Sequence, residues 1–252
     1  MTIKIEKKND VAYITLNSPP VNIMTGEMMN AITKAMEEIA GDKSLKAVAF
    51  KAEGKAFSAG ADVGEHHPDK AGGMIGAFGR MFTALGKCEL PIVMAAGGAA
   101  LGAGFELVML ADVLIASEKA NFGQPEIRLA FFAPLGVAYL PKLVGPNRAM
   151  EITATGRTYS AQTMYEYGLV TRVVKPEELD SVMEAYLDDI RKASPAVIRL
   201  NTRILKKVRD KPYEEAHQEA EKVFLEELMS LDDVLEGINS FYEKRKPDWK
   251  NK

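Results

Sequence analysis

Two carboxylates stand where carboxylates are expensive. Glu106 falls inside Gly97-Gly98-Ala99-Ala100-Leu101-Gly102-Ala103-Gly104-Phe105-Glu106-Leu107-Val108-Met109-Leu110, a stretch with no other charge. Glu126 follows twenty residues later, in Phe122-Gly123-Gln124-Pro125-Glu126-Ile127-Arg128. An ionised carboxylate taken out of water is costly unless it is paired or protonated. A glutamate kept there either bonds a structural partner or has its pKa set for proton transfer. Two of them at one centre, one ionised and one protonated, would make a general base and a general acid. Two turns of small residues offer the complementary chemistry. Phe57-Ser58-Ala59-Gly60-Ala61-Asp62-Val63 and the run from Gly97 to Gly104 each follow an apolar segment. Each can present one backbone N–H to a developing oxyanion, and the alternative is close strand–helix packing.

Other chemistries fit less well. No Gly-Lys-Ser/Thr follows either turn, and Leu107 stands where a Gly-x-Gly-x-x-Gly would need its last glycine. Without a Gly-x-Ser-x-Gly elbow, Ser58 is a poor nucleophile. Cys88 has no histidine near it in sequence, and His217 is distant. His66-His67-Pro68-Asp69 reads as a surface loop or pocket rim rather than a metal site, because adjacent histidines rarely face one ion. Arg128 either restrains Glu126 or pairs elsewhere, and Asp112 opens a strand where it bonds locally. A glycosidase pair is disfavoured, since the one tryptophan is Trp249 near the terminus and the acids' neighbours are aliphatic, Phe and Ala.

The elements that must hold these residues are alternating strands and helices. Residues 2–8 and 11–17 read as strands around an Asn9-Asp10 turn, and Thr25 caps a helix over 27–40 with Met28, Ile32, Met36 and Ile39 inward. Leu45–Lys51 is a strand, 54–64 a loop, and 73–86 a helix. Strands follow at Ile92–Ala96, Val113–Ala116 and Leu169–Val174, with a short helix carrying Glu106. That order predicts right-handed α/β layering. Beyond Pro176 the chain becomes amphipathic helices, 176–192, 195–210, 212–230 and 231–246. We divide it into a core, 1–194, and a helical appendage, 195–252.

Composition sets the class. The 252 residues carry a net charge of −3, with 47% hydrophobic and 27% charged residues, which suits a globular protein and argues against nucleic acid as a partner. The basic clusters at 206–209 and 244–246 read as solvated helix faces. One cysteine excludes an internal disulfide and fits a reducing compartment. The longest uncharged run, Leu90 to Phe105, is short for a membrane span, and the N-terminus lacks a signal peptide's apolar region. A cytoplasmic protein without membrane contact is expected.

Three ordered motifs, Ala56-Phe57-Ser58-Ala59-Gly60-Ala61-Asp62-Val63, Ala100-Leu101-Gly102-Ala103-Gly104-Phe105-Glu106-Leu107 and Phe122-Gly123-Gln124-Pro125-Glu126-Ile127, resemble the crotonase (enoyl-CoA hydratase/isomerase) superfamily. The resemblance runs from about residue 3 to the C-terminus. It implies an α/β fold, a spiral of ββα units followed by a helical trimerisation region, assembled as a homotrimer or homohexamer. It implies an acyl-CoA thioester as substrate, with CoA part of that substrate and no metal or separate cofactor. The family's oxyanion amides fall on Ala61 and Ala103, and its catalytic acids on Glu106 and Glu126. CoA contacts are implied at Ala59, Ala61, Asp62 and Val63, and at Phe241 and Lys244 in the terminal segment that reaches a neighbour's CoA. Two departures stand out. Ala103 replaces the family's usual glycine, and Ala130-Phe131-Phe132-Ala133-Pro134-Leu135-Gly136 replaces a Pro-Gly-x-Gly-Gly-type loop. That second segment, with residues 63–69 and 224–229, looks like the cyclohexa-1,5-diene-1-carbonyl-CoA hydratases, making His66, Phe131, Phe132 and Pro134 acyl-pocket candidates. The expected activity is reversible water addition to an α,β-unsaturated acyl-CoA, a cyclic dienoyl-CoA of anaerobic aromatic degradation. Alternatives are a straight-chain enoyl-CoA hydratase of fatty-acid oxidation, an isomerase, hydrolase or decarboxylase on the same fold, and an acyl-CoA- or RNA-binding relative without turnover.

Overall fold

A computed structural model describes residues 1–251. Its larger sheet is built on apolar runs buried on both faces. Strands β1 (Ile3–Lys8) and β2 (Val11–Leu16) pair antiparallel around Asn9 and Asp10, both at positive φ as a tight hairpin turn requires. Parallel strands β3 (Ala47–Ala52), β5 (Ile92–Ala96), β7 (Val113–Ser117) and β10 (Arg172–Val174) complete the order β1-β2-β3-β5-β7-β10. The period of two sends alternate residues to opposite layers. Val11, Tyr13, Ala47, Ala49, Val93, Ala95 and Ile115 pack with Met183 and Leu187 of helix α7 (Leu179–Arg191). Ile14, Leu16, Val48, Phe50, Ile92, Met94 and Leu114 face the other core, shared with α1 (Gly26–Gly41) and α2 (Ala71–Gly86). Thr25 caps α1 as expected, its hydroxyl accepting from the Met28 N–H at 3.3 Å, and Met28, Ile32, Met36 and Ile39 are its buried stripe.

The sequence reading missed a second sheet. After each of β3, β5 and β7 the chain adds one three-residue strand to it: β4 (Ala56–Ser58), β6 (Ala99–Leu101) and β8 (Asn121–Gly123) run parallel, and β9 (Thr158–Ser160) closes the order β4-β6-β8-β9 antiparallel. Helix α2 follows β4, α3 (Ala103–Val108) follows β6, and a 3-10 turn at Pro125–Leu129 follows β8. This repetition is the spiral of ββα units that the resemblance implied. The loop expected over 54–64 therefore contains β4, and the glycine-rich turn contains β6. Packing explains part of the glycine content, since a Cβ on Gly104 would come within 2.6 Å of the Ser58 carbonyl oxygen.

Helices α4 (Pro134–Val144), α5 (Pro146–Thr155) and α6 (Ala161–Glu166) fill 134–166, where no element was expected. The expected strand over Leu169–Val174 is confined to Arg172–Val174. Beyond α7, the C-terminal region comprises α8 (Pro195–Val208), α9 (Tyr213–Glu226) and α10 (Asp232–Tyr242). Helix α8 is fastened to the sheet at the beginnings of its strands. Arg199 donates to the Asp42 and Leu45 carbonyls, and Lys206 bonds the Cys88 carbonyl and pairs with Asp112, whose carboxylate accepts the Ile92 N–H. Among the described residues no helix is long and apolar enough to cross a membrane.

Candidate active site

Three neighbouring strands of the small sheet, β4, β6 and β8, end at one place. Gly60-Ala61 follows β4, Gly102-Ala103 follows β6, and Glu126 follows β8. The Gly102 N–H donates to the Gly123 carbonyl at 2.9 Å, and a Cβ on Gly60 would lie 3.3 Å from the Leu101 carbonyl oxygen. Gly60 (φ +107°) and Gly102 (φ +54°) take backbone conformations that disfavour a side chain. Ala103 keeps a negative φ, so alanine is tolerated where the family has glycine. Neither the Ala61 nor the Ala103 N–H has an acceptor among the described residues; Ala61's bridge to Met24 uses the Gly60 carbonyl instead. Two uncommitted donors thus lie on adjacent turns, as an oxyanion requires.

The acids flank these turns. Glu106, on α3, is 3% exposed, and its Oε1 accepts the Gly136 N–H at 2.9 Å. Burial, then the negative charge of Glu126, push its pKa up to about 7, while the Gly136 and Leu135 amides hold it down. Glu126 lies against Gly102, where a Cβ would fall 2.4 Å from Glu126 Oε1. Its pKa is raised by burial and held down by its own backbone amide, and its Oε2 is buried without a hydrogen-bond partner. Two carboxyls whose pKa values burial raises, beside two free amides, can move one proton each while an oxyanion forms and collapses.

His66 and Phe131 share this corner, with ring centroids 4.7 Å apart. Ala59 is half-buried and its N–H is spent on the Val21 carbonyl. Asp62 turns its carboxylate onto the Gly64 N–H at 2.6 Å, starting the 3-10 turn Val63–His66. Phe132, two residues past the left-handed turn at Ala130, is 67% exposed. Pro134 is exposed at the first position of α4, and Val63 is exposed. Phe241, in the last turn of α10, and Lys244, just past it, are exposed and share no bond or ring contact with the cleft among the described residues.

The less favoured candidates have structural explanations. Arg128 packs on Gly156 and does not restrain Glu126. Cys88 is buried and its thiol pKa is raised by burial, the opposite of an activated nucleophile. His67 pairs with Asp69, and no metal-holding group of three or more His, Cys, Asp or Glu occurs among the described residues. Two site residues escaped the sequence reading. Gln124, 2% exposed, donates from Nε2 to the Gly102 carbonyl at 3.3 Å and braces the second turn. Gly136 supplies the amide on Glu106 from thirty residues away; a polar residue between two buried segments signalled the first, and nothing local signalled the second.

A family model described as enoyl-CoA hydratase/isomerase matches residues 6–252. The chain belongs to the enoyl-CoA hydratase/isomerase family. It is 30% identical over 252 residues to a cyclohexa-1,5-dienecarbonyl-CoA hydratase of Thauera aromatica, covering 100% of this chain and 97% of the relative. To the probable enoyl-CoA hydratase echA8 of Mycobacterium bovis it is 33% identical over 254 residues, covering 98% and 97%. An enoyl-CoA hydratase from Bacillus anthracis superposes with a TM-score of 0.95 at 28% identity, covering 100% of both chains. This member of the family is an enzyme of the hydro-lyase type, acting as an enoyl-CoA hydratase does.

Proposed function

We propose that the enzyme adds water reversibly to an α,β-unsaturated acyl-CoA at the cleft between Glu106 and Glu126. The observation that carries this reading is the pair of carboxyls with pKa values raised by burial beside two uncommitted amides. The thioester oxygen is held by the N–H groups of Ala61 and Ala103, each contributing about 3 kcal/mol as negative charge develops there. Ionised Glu106 takes a proton from water as the oxygen bonds to the β-carbon. Protonated Glu126 gives its proton to the carbon of the resulting enolate, and the thioester carbonyl re-forms. The cycle resets when Glu106 releases its proton to solvent and Glu126 regains one. No step calls on a metal or a separate cofactor.

For the natural substrate we favour a cyclic dienoyl-CoA, giving a hydroxycyclohexene-carbonyl-CoA. The Thauera aromatica relative and the His66–Phe131 ring pair on the Glu126 side of the cleft support it. The second reading, a general enoyl-CoA hydratase, draws on the similarly close Mycobacterium bovis relative. Residues 1–194 then form the catalytic core, with Asp62 and its neighbours along the CoA. Residues 195–252 form the oligomerisation region of a cytoplasmic homotrimer or homohexamer. Phe224, Leu225, Leu235, Ile238 and Phe241, exposed in one chain, support this role, and Phe241 with Lys244 is offered to a neighbour's CoA. Turnover of crotonyl-CoA and of cyclic mono- and dienoyl-CoA in oxygen-18 water tests both readings. Label in a hydroxyacyl product supports hydration, and a shifted double bond or free acid defeats it. Rapid crotonyl-CoA hydration without ring activity defeats the cyclic assignment.

A further inference from the structure

His66 is joined to the corner of the cleft by two fixed contacts. Its Nδ1 lies 3.0 Å from the Asp62 carbonyl oxygen. A carbonyl only accepts, so Nδ1 carries the hydrogen and the neutral ring keeps a lone pair on Nε2. The ring packs on Phe131, whose own N–H donates to the Glu126 carbonyl at 3.1 Å, so the imidazole is tied to the turn that carries the acid. Three polar atoms here have no hydrogen-bond partner among the described residues: His66 Nε2, the buried Glu126 Oε2 and the buried Gln124 Oε1. The other carboxylates of this corner are already engaged. Asp62 is on the Gly64 N–H, Glu65 on the Gly26 N–H and Glu106 on the Gly136 N–H. Gln124 Oε1 faces Gly136, where a Cβ would fall 2.3 Å from it, so His66 Nε2 is the unused acceptor on the side tied to Glu126.

Resting on the hydration reading above, we propose that His66 is a positioning residue for Glu126, its Nε2 accepting a hydrogen bond from the protonated Glu126 carboxyl, directly or through one water. The acid must hold a proton until the enolate forms, and a buried carboxyl O–H without an acceptor has no fixed direction. When the C–H bond forms, the O–H bond of Glu126 breaks. The imidazole stays neutral throughout and is not itself the donor to carbon.

The stacking and hydrogen-bonding roles of His66 can be separated by substitution. H66F keeps a ring against Phe131 and removes the acceptor; H66Q removes the ring and keeps an acceptor oxygen. For hydration of whichever of crotonyl-CoA and the cyclic mono- and dienoyl-CoA wild type turns over best, we expect H66F to lose at least about tenfold in kcat with KM changed less than about twofold, and H66Q to stay within about threefold of wild type. H66F turning over like wild type, or H66Q no better than H66F, overturns the assignment. Wild type without hydration, or E126Q at full activity, overturns the hydration mechanism and this role with it, so the two failures are distinct. Infrared spectroscopy checks the contact without turnover. The protonated-carboxyl band lost in E126Q should shift in H66F, and an unmoved band overturns the proposal even where H66F is poorly active.

Discussion

The two acid-bearing segments solve the same problem in opposite ways. Glu106 sits in a helix sealed inside the core and is gripped by backbone amides from the start of α4. Glu126 sits on a short turn at the rim, half-buried, with one oxygen against Gly102 and the other unbonded. Both pKa values rise because water is excluded, but Glu106 is held by amides of a separate helix, whereas Glu126 has only its own backbone amide. A base must be aimed at one water, whereas an acid must hold and release a proton. The more rigid setting therefore belongs to the base.

The sharpest way to break this comparison is to remove each acid. E106Q should lower kcat by about 10⁴-fold, the upper range for a positioned general base, measured by hydration of the best acyl-CoA. E126Q should lose less, about 10³-fold, because a less constrained site leaves room for solvent to supply the proton. Equal losses, or the reverse order, would remove the distinction. Stability should move the other way. A carboxyl whose native pKa is raised from 4.5 to about 7 binds more protons folded than unfolded between those values, so its stability contribution falls as pH rises through that window. E106Q should therefore be more stable than wild type at pH 8, by on the order of 3 kcal/mol, with little difference at pH 4 in denaturant titrations. The pH profile gives the finest test. With Glu106 as base, kcat/KM should fall about tenfold per pH unit below about 7. In E126Q the residual activity should show that limb at lower pH, by less than about one unit, since the Glu126 charge is a smaller cause than burial.

The large sheet was legible because Ala47–Ala52, Ile92–Ala96 and Val113–Ser117 are apolar runs whose neighbours could be guessed from order alone. The small sheet was not, although it places the site. Ala-Phe-Ser, Ala-Ala-Leu and Asn-Phe-Gly are too short to show a period, and their pairing joins residues over twenty apart. Helices α4 and α5 hid behind Pro134, Pro141 and Gly145-Pro146, which read as breakers; two of these prolines begin helices, where no N–H is needed. Glu106, Glu126 and the two small-residue turns stood out because a charge in an apolar run and glycine beside alanine are local signals, whereas Ala61 and Ala103 were picked out within those turns by the family resemblance. No local pattern announces the exposure of Phe132 or the sign of φ at Ala130.

Helix α8 grips the strands where they begin, at Cys88, Ile92 and Asp112, whereas the cleft opens past where the chain leaves them. Strands of five or six residues separate the two ends by roughly 15 Å of stiff, hydrogen-bonded backbone. Helix α8 and the two acids therefore occupy opposite poles of a single slab. The far pole can be redrawn, with loops lengthened or the outer face of α8 recoloured, while the geometry around Glu106 and Glu126 is left as it was.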